Sequence, residues 1–483
     1  MNRLWGSCLI VGAVAFTASL AGIDVRATYG ARVSGDEPQY LITAMSLGDD
    51  GDLDVSDEIA AGEWRAFHEI PLDPQTQELA NGREVSPHDP LLPALLVVPV
   101  LVGGWWAAKA TFAVLAGVLA ALLVWIAVRR FGVGVFASAL TVGIFGASAP
   151  IAVYGSQVYP ELPAAVAVAV AVALLTGTLA RGHVIGAALC VVALPWLAVK
   201  YSLIAAVIAV WLVVRLLRME RRAEAGLVVA GLGLAGVAFV AAHLQWYGGW
   251  TAYATGGHFV DGEFSVVGSE PDFAGRSRRL VGLLVDRNFG IAAWQPAWLL
   301  VIPAAVAMVR ARPRFWGLLS GVAAVGWLGA TFVALTMHGW WWPGRQIVVI
   351  LPVFVLAVAW WADSARRARV ALISLGALGI ATYLWLVVEG SLGHITWIVD
   401  FFDTANPFYR AWRFVLPDYM DMSMSTWVLH GAWIAAVIVL SVRSRRNSGM
   451  SQKERGSSAG DQSDQPDQPD QPVTSISVRI PSS

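Results

Sequence analysis

The stretch GGWWAAKATFAVLAGVLAALLVWIAVRR, residues 103–130, decides the class of the fold. A bilayer core takes about 20 apolar residues as helix, and this run is long enough. Tryptophans stand at one end, where their amphipathic rings suit the membrane–water interface. Arg129 and Arg130 close the other. The same pattern recurs along the chain. Of its 483 residues, 57% are hydrophobic and 14% charged, the balance of an integral membrane protein. A net charge of −1 gives no basic surface for nucleic acid. Cys8 and Cys190 both fall in apolar segments and read as packing residues rather than a disulfide.

Twelve spans follow, at 4–23, 104–128, 133–151, 159–180, 183–199, 201–218, 225–245, 290–309, 314–336, 345–361, 367–388 and 426–442. The expected class is an all-α integral membrane protein of about twelve transmembrane helices. Residues 91–102, LLPALLVVPVLV, are too short to span and read as a re-entrant or interfacial helix. Residues 1–23 have the basic start and apolar run of a signal peptide. No small-x-small site follows directly, so they are read as the first helix.

With the N-terminus inside, the inner connections carry Arg3, Arg129–Arg130, Arg181, Arg215–Arg222, Arg310–Arg314, Arg366–Arg369 and Arg443–Arg446. Every alternate connection is basic, which places both termini in the cytoplasm. The long connections 24–90, 246–289 and 389–425 then face outward, with the shorter 338–344. Loop 24–90 is acidic: fourteen Asp and Glu lie between 36 and 89, against Arg65 and Arg83. Two units are expected, a polytopic domain over 1–445 and a tail over 446–483. The tail holds DQPDQPDQP and cannot bury enough apolar surface to fold. No other internal repeat is evident, which weakens an inverted-repeat transporter.

Five stretches hold polar residues where the chain meets the membrane. In VSGDEPQYLITAMSL, residues 33–47, Tyr40, Leu41, Ala44, Met45 and Leu47 recur near helical spacing. Asp36 suits the N-cap of that helix and Glu37 its positive end. A cap does not exclude chemistry. In REVSPHDPLLPALLVVP, His88 and Asp89 stand where the chain re-enters the membrane, in a Pro-punctuated turn or as the wall of an outer site. In GSQVYPELPAA, Glu161 lies just inside a span, where a carboxylate is costly without a partner or cavity. Lys200 ends another span, either snorkelling or serving as a point charge for a phosphate. In MHGWWWPGRQIVVILP, Arg345 opens a span among belt tryptophans, as a snorkelling residue or a phosphate clamp. Asp286 and Arg287, beside another span, read as an ion pair.

Several chemistries are missing. The chain has no Walker-type phosphate loop, no His-x-x-x-His or Cys cluster, and no Gly-x-Ser-x-Gly elbow. DDGDLDVSDE, residues 49–58, is calcium-like in acid content but lacks the central glycine at the expected place. The carboxylates and His88 are able to bind a divalent metal ion, though no spacing demands one.

The order of these motifs resembles the polytopic GT-C glycosyltransferases. An acidic pair after the first span is followed by SPHDPLLP, YPELPAA, a Lys ending a span, and a late W-W-x-G-R opening another. The resemblance covers roughly residues 1–350. It points to the branch holding protein O-mannosyltransferases and the lipid A aminoarabinose transferase. What it implies is transfer of a hexosyl or pentosyl group from a polyprenyl-phosphate carrier to a glycan, lipid or protein acceptor on the outer face. Asp36 matches the first-loop acid, as catalytic base or acceptor-positioning group, and Glu37 its neighbour. Lys200 and Arg345 match basic positions that hold the lipid phosphate, with His88 and Glu161 beside them as binding residues. One departure stands out: members often carry Gly-Gly before the late arginine, and this chain has WWWPGR.

The implied chemistry is physically economical. A phosphate-linked sugar carries its own leaving group, so the protein needs a base for the acceptor and positive charge for the phosphate. The rival from another class is a secondary transporter or flippase for a lipid-linked or anionic substrate, which twelve spans fit equally well. A transporter places its ionisable groups near mid-membrane on broken helices. A third reading is a non-catalytic subunit of an envelope assembly.

Overall fold

The computed structural model describes residues 3–73, 75–79, 81–256, 263 and 271–459, setting aside the side chains of 77 and 443–459. Among the described residues, eight helices are long and apolar enough to cross a membrane: Arg3–Ala21, Leu91–Phe131, Val199–Arg218, Arg222–Thr255, Trp316–Val333, Arg345–Ser364, Arg366–Ser391 and Met424–Val442. Four shorter apolar helices, Val135–Gly146, Glu161–Leu175, Arg181–Leu197 and Pro296–Ala311, occupy the remaining expected spans. The class is all-α and polytopic, as expected.

Burial grades across the bundle. In the most apolar window of Arg345–Ser364, 78% of residues are buried, against 11% for Arg222–Thr255 and 6% for Met424–Val442. The helix that Arg345 opens is therefore central. The outer helices turn Leu9, Ile10, Leu227, Leu234 and Val237 outward, largely exposed. In lipid such faces cost nothing, so close packing rather than apolar burial holds the helices together.

Residues 91–102 are indeed a separate piece. The 41-residue stretch Leu91–Phe131 breaks at Gly103 and Gly104, whose backbone angles are not helical. One other boundary differs from expectation. The span expected from 290 starts at Pro296, because Ile291–Trp294 forms a separate short turn ahead of Gln295. At the other end of the chain the last helix runs Met424–Ala459. The DQPDQPDQP repeat lies outside the described residues.

The two ends of the bundle differ in character. At one end the basic connections meet helix C-termini. Arg130 donates through Nε to the Ala173 carbonyl at 3.0 Å, Arg215 donates to the carbonyls of Leu175 and Gly177, and Arg221 to that of Leu179. Cations there complement the negative ends of the helix dipoles. At the other end lie loop 24–90, with helices Glu37–Asp49 and Ser56–Ala61, and the small hairpin Gln77–Glu78 with Glu84–Val85.

Candidate active site

Five helices begin where the polar residues gather. Asp36 sits at the N-cap of Glu37–Asp49, and His88 lies just ahead of Leu91. Glu161, the turn holding Lys200, and Arg345 open three further helices. Helix starts carry unpaired N–H groups and the positive dipole end, so their convergence builds a setting for negative charge.

Ion pairs tie these starts together. Arg345 bonds Asp36 through one terminal nitrogen and reaches Glu161 Oε1 through Nε at 3.1 Å. Lys200 Nζ lies 2.6 Å from the same Glu161 oxygen. His88 places Nε2 3.3 Å from Asp36 Oδ2, while its Nδ1 stands 2.8 Å from Ser86 Oγ. The guanidinium of Arg345 also stacks 4.3 Å from the Tyr159 ring centroid and 4.9 Å from that of Trp341. These contacts join residues that snorkelling would have left in separate headgroup positions.

Access is uneven. The side chains of Lys200 and Asp36 are 27% and 21% exposed, whereas Arg345 is at 6% and Glu161 at 0%. The open face thus offers one carboxylate and one ammonium. Behind them, Arg345 and Glu161 form a fixed frame. The second Glu161 oxygen and the Tyr201 hydroxyl are buried without a partner. Lys200 Nζ also stands 5.3 Å over the Tyr201 ring.

Asp36 does not use its side chain as a cap. Its carboxylate turns toward Arg345 and His88 instead. Burial alone would raise its pKa, but those two neighbours hold it well below the usual carboxylate range. Glu37 behaves oppositely. It is fully buried, accepting the Ser34 N–H at 3.0 Å and the Val158 N–H at 2.7 Å. Burial raises its pKa, a push only partly offset by Lys109 and by those two N–H groups. Both its oxygens are occupied, so Glu37 holds the 34–37 turn against the chain just before Glu161. The adjacent acids face different ways.

Two glycines permit this geometry. Gly35 has φ +60°, and a Cβ there would come to 2.8 Å from both the Trp340 carbonyl oxygen and the Tyr159 hydroxyl. Gly344 has φ +88°, and a Cβ would meet Ile291 Cγ2 at 2.6 Å. Both positions are left-handed and crowded, and each immediately precedes one partner of the Asp36–Arg345 pair.

Several participants escaped the sequence reading. Lys109, fully buried, donates to the Arg32 carbonyl at 2.6 Å and supplies the positive charge behind Glu37. His243, also buried, lies 3.0 Å from Asp89, which accepts the Val199 N–H at 2.9 Å and so fixes the turn before Lys200. An ionisable residue inside an apolar run was the available signal for both. The expected Asp286–Arg287 pair does not form: Arg287 pairs with Asp418 at 3.1 Å. Asp286 accepts backbone N–H groups of Asn288, at 2.9 Å, and Tyr419, at 3.0 Å. Cys8 and Cys190 are both free.

No protein-family model and no curated protein matches the chain. Among solved structures, ArnT from Cupriavidus metallidurans bound to undecaprenyl phosphate matches at a TM-score of 0.50 and 16% identity, over 91% of this chain and 73% of that one. The fold is GT-C-like. A likeness at this identity establishes architecture, in agreement with the order of motifs along the chain.

Proposed function

We propose that the protein is a membrane glycosyltransferase that takes a sugar from a polyprenyl-phosphate donor and passes it to an acceptor at the outer face of the cytoplasmic membrane. One observation carries this reading: a partly open Asp36 stands beside Lys200 and Arg345 where five helices begin. Undecaprenyl phosphate on the ArnT structure of like fold supports a polyprenyl phosphate as the lipid partner. Asp36, His88, Glu161, Lys200 and Arg345 gather at the end of the bundle that holds loop 24–90, whereas a transporter places its ionisable groups near mid-membrane.

The acceptor hydroxyl attacks the anomeric carbon, and the bond from that carbon to the phosphate oxygen breaks. The bonding electrons leave with the phosphate, and Asp36 takes the acceptor's proton. A carboxylate held low by Arg345 stays ionised but is a weak base. A donor phosphate that draws Arg345 and Lys200 toward itself loosens that grip and strengthens Asp36 as a base. Glu37 is a positioning residue in this scheme, and Glu161 keeps the two cations aligned. The catalytic domain is assigned to 1–445 and the tail to 446–483, with both termini cytoplasmic.

The purified protein, given labelled polyprenyl-phosphate sugar, is expected to release the sugar to an acceptor or slowly to water. Asp36→Asn should lower that rate about 10²–10⁴-fold, the range for a positioned base, with the fold retained. Transfer unchanged in Asp36→Asn removes the assigned role. Wild-type protein that carries labelled solute across vesicles without transferring it makes the chain a transporter.

A further inference from the structure

The Glu37–Asp49 helix has a second acidic end. Carboxylate oxygens of Asp50, Asp57 and Glu58 lie within 4.8 Å of one another, drawn from the helix end and the start of Ser56–Ala61. Asp50 and Asp57 are exposed, but Glu58 is only 2% exposed and neither of its oxygens has a hydrogen-bond partner. A buried carboxylate left so must take up a proton or a cation. Burial, then Asp57 and Glu63, push its pKa up to about 8, and both of those neighbours are acids. Asp49 and Asp50 add charge at the negative end of a helix dipole, where anions are disfavoured.

We propose that Asp50, Asp57 and Glu58 bind calcium, clamping the C-terminal end of the Glu37–Asp49 helix to the Ser56–Ala61 helix. The donor set is all oxygen, which selects a hard cation over zinc or copper. Two exposed carboxylates leave room for water, as suits the loose coordination of calcium better than the strict octahedron of magnesium. This is not a helix–loop–helix loop of the EF-hand kind. The acids come from two helix ends, so the missing central glycine is immaterial.

The clamp bears on the candidate active site through the backbone. Asp54 Oδ1 accepts the Glu84 N–H at 3.1 Å, and the Val55 N–H reaches the Glu84 carbonyl at 2.9 Å. The segment between the acids is thereby joined to the strand that leads to His88, while the far end of its helix carries Asp36. The cation steadies that frame and takes no part in the chemistry.

The full-length protein in detergent is stripped with a chelator and titrated with calcium chloride. Wild type should melt about 2 °C higher at saturation, as for a ligand bound only by the folded form. Half the effect is expected near 10⁻⁴–10⁻³ M, the usual range for loose extracellular sites. Glu58→Gln should abolish the shift, with a melting point in chelator equal to or above that of wild type. The doubly substituted Asp50→Asn, Asp57→Asn protein should abolish it too, and stands in if Glu58→Gln does not fold. A flat wild-type response up to about 10 mM calcium overturns the proposal, since that exceeds the range for such sites. So does a Glu58→Gln response equal to wild type. An equal effect of magnesium overturns the choice of calcium.

Discussion

One helix of thirteen residues, Glu37–Asp49, carries two acidic clusters that differ in every electrostatic respect. At its N-terminal end Asp36 meets Arg345 and His88, beside the Arg345–Glu161–Lys200 pairs, at the favourable pole of the dipole. At its C-terminal end Asp50, Asp57 and Glu58 face one another and a further acid, Glu63, at the unfavourable pole. The first cluster has its cations built into the chain. The second lacks them, which is why an external cation is assigned there and not to the first. Acidic residues are equally conspicuous in both places in the sequence. Their partners, not their number, distinguish the two clusters.

The sharpest way to break this comparison is to disturb the built-in cations. Arg345→Lys keeps the charge but loses the fork that holds Asp36 and Glu161 together. Transfer from a polyprenyl-phosphate donor should fall at least about 10²-fold, the scale of one lost electrostatic donor. A variant that retains a third of the wild-type rate would show the fork to be dispensable. Glu37→Gln comes next. The amide keeps one acceptor oxygen where the carboxylate offers two, leaving a buried backbone N–H unpaired. A loss of stability of about 1–3 kcal/mol is expected, read by denaturation in detergent. If Glu37 instead takes a proton during transfer, its rate would drop far more than its stability.

The last test concerns the cation-poor end. In chelator, folded Glu58 titrates at about 8 against an ordinary carboxyl value of 4.5, so the folded state binds the proton more tightly over that interval. Stability should therefore fall as pH rises from about 5 to 8, with Asp50, Asp57 and Glu63 facing the titrating group. Glu58→Gln should flatten the slope. Equal slopes for the two proteins would assign the pH dependence to another residue.

Much of the architecture was readable because the membrane imposes a strict code. Each expected span has its apolar helix, and the break at Gly103–Gly104 separates the segment that was too short to cross. The site residues were readable one at a time. How they pair was not, because Arg345 and Asp36 are 309 positions apart and no local pattern links them. Lys109 was overlooked inside an otherwise apolar run, although a charge there needs a reason. Asp286 and Arg287, adjacent in the chain, suggested each other and instead found partners around residues 418–419. Neighbours in sequence are poor guides where loops from distant spans interleave.

Gly35 and Gly344 carry no charge, yet they constrain their loops more strictly than the acids do. WWWPGR departs from a double glycine by placing Pro at 343, but it retains Gly344, the position whose left-handed backbone leaves no room for a Cβ. A related chain that keeps Asp36 and Arg345 but bears a side chain at either glycine must route its loop differently. In such a chain the two charged residues alone would be a misleading signature, and the dipeptides Gly-Asp and Gly-Arg are the units to compare.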